Sequence, residues 1–146
     1  MLITDLQIGD YVACEVNPER YCKVAGLLID EYWKDQTLYI QNLVTDIVLE
    51  KDIESIVGIE LTKDILKKNN WVNDLYSILP IDKNKYLQYY WYENRLRCIW
   101  NGVDEYENHS EVTDIIFQCG NIKYVHELQH ALKLCGLNDL VKNFKI

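Results

Sequence analysis

Residues His126-Glu127-Leu128-Gln129-His130 set two imidazoles one helical turn apart, with a carboxylate between them. In this H-E-x-x-H spacing a helix presents two nitrogen ligands to zinc, and the glutamate acts as general base on a metal-bound water. Such a centre also needs a third protein ligand and an open coordination position. No Glu, His or Met follows His130, and the upstream candidate, His109, stands in a polar stretch. At about 100° per residue, Tyr124, Val125, Leu128, Ala131, Leu132 and Cys135 share one apolar arc of the helix, and His126, His130 and Lys133 lie nearly opposite. If that arc packs on a sheet, both histidines face solvent. The reading is an amphipathic helix with two surface histidines and no metal or cofactor. The alternative is a small zinc-dependent hydrolase with His126 and His130 as ligands and Glu127 as base.

A second group of residues suits recognition rather than catalysis. Tyr86, Tyr89, Tyr90, Trp91, Tyr92 and Trp100 concentrate aromatic rings in one expected hairpin. Strand alternation puts Tyr86, Tyr90 and Tyr92 on one face, and Leu87, Tyr89 and Trp91 on the other. If one face is core, the other is free to stack on a peptide, base or sugar. Tyr89, Tyr90, Trp91 and Tyr92 are therefore the candidate binding residues, for an unknown protein partner or a second copy of the chain. The plainer explanation is that aromatics favour strands and both faces are covered. Tyr11, Tyr21, Tyr32, Trp33 and Tyr39 offer a similar groove on the N-terminal sheet, with ordinary packing again the plainer explanation. Asp30, Glu31 and Asp35 lack the ligand order of a calcium loop. No phosphate-binding loop, dinucleotide fingerprint or nucleophile elbow is present.

Composition narrows the classes. The 146 residues are 49% hydrophobic with a formal net charge of -8, enough for a buried core and contrary to a phosphate-binding surface. Nucleic acid and anionic membrane are therefore disfavoured partners. The first residues lack the basic and apolar regions of a signal peptide, and no run approaches a membrane span. The five cysteines, Cys14, Cys22, Cys98, Cys119 and Cys135, form no Cys-x-x-Cys pair. Reduced thiols in a cytoplasmic protein are expected.

The elements that position these residues follow from alternation and punctuation. Strands are expected over Tyr11–Val16, Tyr21–Ile29, Thr37–Leu43, Ile47–Leu49 and Val57–Glu60, with a turn at Asn17–Arg20, a bulge near Gly26 and a tight turn at Asp52–Ile56. Thr62 caps a short helix, with Leu61 and Leu66 as its hydrophobic staple. Strands at Leu75–Leu79, Tyr86–Tyr92, Leu96–Trp100 and Val112–Cys119 follow, then a helix over Tyr124–Cys135 that ends at Gly136. The expected fold is α+β. Residues 1–61 form an SH3-like small β-barrel. Residues 62–146 form a helix plus a small antiparallel sheet packed by the C-terminal helix.

Three patches carry a resemblance: Asp5-Leu6-Gln7-Ile8-Gly9-Asp10-Tyr11-Val12; Asp52-Ile53-Glu54 with Ile59-Glu60-Leu61-Thr62; and Ile122-Lys123-Tyr124-Val125-His126-Glu127-Leu128-Gln129. Their order resembles a family of short uncharacterised proteins from gut Bacteroidetes and their phages or mobile elements. The resemblance spans nearly the whole chain, with a loose middle, and departs from the family's prolines at Ser55-Ile56-Val57-Gly58. It implies one shared architecture and no chemistry. Together these readings lead to the expectation of a non-enzymatic accessory or protein-interaction protein of a phage or mobile element. A zinc hydrolase and a nucleic-acid accessory protein are the alternatives.

Overall fold

The structure, a computed structural model of the chain, describes residues 5–14, 17–29, 36–73, 75–103 and 111–146. The fold is α+β, with two five-stranded antiparallel sheets and three short helices among the described residues. The chain divides into two compact units, Met1–Glu60 with Tyr124–Gln129, and Leu61–Lys123 with His130–Ile146.

The first unit contains β1 (Tyr11–Cys14), β2 (Asn17–Ile29), β3 (Gln36–Asn42), β4 (Val48–Asp52) and β5 (Ile56–Gly58), in the spatial order β4-β3-β2-β1-β5. Alternating apolar residues build one face. Val12, Cys22, Val24, Leu38, Ile40 and Ile56 are buried there with Leu6. Strand β2 slips register between Val24 and Gly26, the expected bulge, and Ile53–Ser55 forms a 3-10 turn. The turn expected at Asn17–Arg20 is instead part of β2. Cys14 pairs with Asn17 and Ala13 with Tyr21, so residues 18–20 have no partner residue on β1. A proline without an N–H is tolerated at such an irregularity. No pairing of β4 with β5 closes the sheet among the described residues.

The second unit begins with α1 (Lys63–Lys68). Thr62 Oγ1 accepts the Ile65 N–H at 3.2 Å, and Leu61 and Leu66 are both buried, as capping and staple require. Its sheet runs β10-β9-β8-β7-β6, from β6 (Val72–Asn73), β7 (Ser77–Pro80), β8 (Lys85–Tyr90), β9 (Arg95–Val103) and β10 (Glu111–Cys119). The two-residue β6 is too short to leave a periodic pattern. The next helix, α2 (Val125–Leu134), has its residues up to Gln129 in the first unit and the rest in the second. It closes as expected on Gly136, whose φ is 76°. Leu137 N–H donates to Leu132 O and Gly136 N–H to Lys133 O, both at 2.9 Å, the paired bonds of a Schellman ending. A short α3 (Asn138–Lys142) follows. Beyond it Asn69 holds Lys145 at both main-chain groups: Oδ1 accepts its N–H at 2.8 Å and Nδ2 donates to its carbonyl at 2.7 Å.

Candidate functional site

The H-E-x-x-H residues lie in the first turn and a half of α2, and four of the five have packing or capping roles. Glu127 Oε2 accepts the N–H of Tyr124, the residue before the helix, at 3.0 Å. This is the return half of a capping box, and it satisfies a donor that the helix leaves open. Leu128 is fully buried, as the apolar arc requires. Gln129, also fully buried, accepts the Tyr11 N–H on Oε1 at 2.9 Å and donates from Nε2 to the Gly9 carbonyl at 3.3 Å. His126 is only 4% exposed, and its ring stacks on Tyr124 with centroids 5.7 Å apart and planes 7° from parallel.

The burial of His126 corrects the helical-wheel expectation of a solvent-facing histidine. The wheel assigns one buried arc, but the start of α2 is covered on a second side. Gly58 of β5 lies beneath it: a Cβ there would stand 2.7 Å from Tyr124 Cδ1 and 3.3 Å from His126 Cε1. Val125 N–H donates to Ile59 O at 2.9 Å, and Glu60 bridges to Tyr124. His130 is half-buried. Among the described residues, no three His, Cys, Asp or Glu side chains gather as a metal would need, and His109 lies outside those residues.

The three patches of the resemblance therefore meet. The opening segment turns at Gly9, whose φ is 95°. Asp10 Oδ2 accepts the Gln7 N–H at 2.7 Å across the same turn. Gln129 then binds the backbone on both sides of Asp10, while Ile59 and Glu60 hold the helix start. Residues 126–129 of the H-E-x-x-H stretch thus form a structural junction within the first unit.

The aromatic hairpin separates into different environments. Tyr89 is 1% exposed, and its hydroxyl donates to Ile122 O, with Asn94 Oδ1 3.3 Å away. Trp91 meets it edge-on at 4.8 Å and donates Nε1–H to Ser77 Oγ at 2.9 Å. Trp91 and Tyr92 fall in the turn after β8 rather than in the strand, because Asn94 takes a positive φ of 46° and the chain reverses earlier than alternation suggests. Tyr92 is 94% exposed.

Tyr90 lies on the opposite face from Tyr89 and is half-exposed. Its ring centroid is 4.6 Å from that of Tyr76, and the Arg97 guanidinium lies 4.6 Å over it. Arg97 Nη1 donates to the Tyr90 hydroxyl at 3.3 Å and Nε to Gln118 Oε1 at 2.9 Å. The Tyr90 hydroxyl donates to Gln88 Oε1 at 2.8 Å. The result is an ordered ladder of Tyr76, Tyr90, Arg97 and Gln118 on the outward face of the sheet. Sequence reasoning found Tyr90 but not Tyr76, Arg97 or Gln118, which the strand register brings beside it. Of the groove residues, Tyr11 is buried, Tyr21 and Tyr39 are half-buried, and Tyr32 and Trp33 lie outside the described residues.

Two further features had no sequence signature. A cavity of about 300 Å³ in the second unit is lined by Trp71, Leu79, Leu132 and Phe144 and rimmed by Asn70 and Asp139. The second is the thiol of Cys135. Burial, with the repulsion of the Cys98 and Cys119 thiolates added, pushes it up to about 11. Burial likewise raises Cys98. All five cysteines are free thiols. Raised thiols are poor nucleophiles at neutral pH, so the arrangement suits packing better than catalysis.

Comparison of the chain with protein-family models, with curated proteins and with solved structures finds no match. No helix among the described residues is long and apolar enough to cross a membrane.

Proposed function

We propose that this is a non-enzymatic protein-interaction protein, of the accessory kind carried by phages and mobile elements, and that it binds a protein partner through the outward face of its second sheet. The observation that carries this reading is the Tyr76–Tyr90–Arg97 ladder. Aromatic and arginine side chains held by mutual stacking lose little entropy on binding and are the side chains most often dominant at interfaces. The capping and packing roles of Glu127 and His126 support the non-enzymatic part of the reading over the zinc hydrolase. The net charge of -8 weighs against nucleic acid. The free thiols support a reducing compartment, as in the cytoplasm. On the same reading the first unit is an SH3-like barrel, supported by its strand order β4-β3-β2-β1-β5 and the 3-10 turn before β5.

The test compares affinity capture by the wild type with capture by Tyr90→Ala and Arg97→Ala. Loss of the captured protein in both variants, with unchanged melting temperature, is the expected result. Equal capture by all three would remove the ladder from the interface.

A further inference from the structure

We infer that the free edge of β4 is a second docking surface, which accepts an extended segment alternating apolar and cationic residues as an added strand. It stands on a different unit from the Tyr90 ladder and does not depend on it. The geometry follows from the hairpin register. Asn42 N–H donates to Ile47 O at 2.9 Å, so this is a hydrogen-bonded pair, and such pairs alternate along an antiparallel ladder. Leu49 with Ile40 and Lys51 with Leu38 are then hydrogen-bonded across the hairpin. Val48, Glu50 and Asp52 consequently turn their N–H and C=O groups away from β3, and of these the Asp52 carbonyl accepts the Ser55 hydroxyl at 2.7 Å. Among the described residues strand β4 ends the sheet, and all five of its residues are exposed.

Proteins usually block such an edge with prolines, inward-pointing charges or a covering element. Here Lys51, opposite Leu38, is the one charge on the core face of β4, and Ile47 and Leu49 ahead of it form an exposed apolar pair. Leu49 shares the face of the fully buried Leu38 and Ile40, yet is 44% exposed; Ile47, on the same face, is 56% exposed. An added strand with apolar residues on this face would extend the core row. The opposite face of β4 presents Glu50 and Asp52, beside Val48. Residues of the added strand on that face would lie beside two carboxylates, so the complementary side chains are Lys or Arg. Charge selects this occupant over a second copy of the chain, which would bring the same acidic row and the same net charge of -8. Alternation along the strand, rather than total charge, is what the edge recognises.

The test uses the full chain and three synthetic hexapeptides: alternating Lys-Val, alternating Glu-Val, and a block isomer of three Val followed by three Lys. Binding is followed by amide NMR shifts. The alternating Lys-Val peptide should shift the amides of Val48, Glu50 and Asp52, bind more weakly as salt rises, and bind about tenfold better than the other two. Glu50→Pro removes an outward N–H without touching the β3 ladder and should abolish binding. Glu50→Lys/Asp52→Lys, which leaves the backbone intact, should weaken it about tenfold as well. Equal binding of the block or Glu-Val peptide would overturn the proposal, as would unchanged binding by the double lysine variant. Shifts confined to Tyr90 and Arg97 would overturn it too, while leaving the ladder reading untouched. A dimer through β4 in the absence of peptide would replace the cationic strand with a second copy.

Discussion

Gln129 and Tyr11 stand 118 positions apart and are joined by one side-chain-to-backbone hydrogen bond of 2.9 Å inside the first unit. The same amide donates to the Gly9 carbonyl. Gln129→Ala leaves a buried backbone donor unmade and should cost about 1–3 kcal/mol. Gln129→Glu keeps the acceptor for Tyr11 but turns an oxygen toward the Gly9 carbonyl, and should also destabilise. Urea denaturation of the two variants measures both effects.

Gly58 should not tolerate a side chain. An alanine Cβ would lie 2.7 Å from Tyr124 Cδ1, well inside contact distance. Gly58→Ala is expected to cost about 1–3 kcal/mol, the usual range for overpacking. In a Tyr124→Ala background the cost should shrink, and a double-mutant cycle should show coupling above about 0.5 kcal/mol. Additive effects would show that Tyr124 is not what crowds the position.

Leu128→Ala and Leu132→Ala should each cost about 2–5 kcal/mol, since both are essentially inaccessible. Against the wheel's expectation, His126→Ala should also be costly, at least about 1 kcal/mol. The exposed Lys142→Ala serves as a control within about 0.5 kcal/mol of wild type. Thermal or urea unfolding ranks the four. A neutral His126→Ala would mean that its stack on Tyr124 contributes nothing.

The capping role of Glu127 makes a separable prediction about metal. Glu127→Ala should lower stability by about 0.5–2 kcal/mol through loss of the cap. Extensive dialysis of tag-free protein against a chelator should leave its melting temperature unchanged. A drop in melting temperature that zinc restores would revive the hydrolase reading.

Alkali should weaken the second unit through its thiols. The folded state holds the Cys135 proton up to about 11, above the ordinary thiol value of 9.0, and burial also raises Cys98. Their contribution is fully present below pH 9 and is lost as pH rises through about 11. Stability should therefore fall across that window, and Cys135→Ala should flatten the fall. Denaturation midpoints taken from pH 8 to 11 provide the check.

Much of the framework was legible because local chemistry set it. Thr62, Gly136 and the alternation at Leu38 and Ile40 act within a few residues of themselves, so the α1 cap, the Schellman ending and the core face of β3 could be read directly. Tyr76 and Arg97 could not be placed beside Tyr90, because their proximity depends on register across three strands. His126 was misplaced because a helical wheel has no term for a second surface packing on the same helix. Pro18 and Asn17 read as a turn, yet the irregular pairing of β1 with β2 accommodates them within a strand. Nothing local in the sequence reveals that Tyr124–Gln129 belongs with the first unit.

That late contribution sets a timetable for birth on the ribosome. The first sheet is translated by residue 60, yet the side chain that ties down Gly9 and Tyr11 belongs to residue 129. At about 5–20 residues per second, the nascent sheet waits on the order of several seconds for its helical segment. Throughout that interval Gly58 has no Tyr124 above it, and β1 has no Gln129 to fix its first amide. The N-terminal half can thus be complete in sequence while still incomplete as a folding unit, and a nascent-chain stall before residue 124 should leave it sensitive to protease.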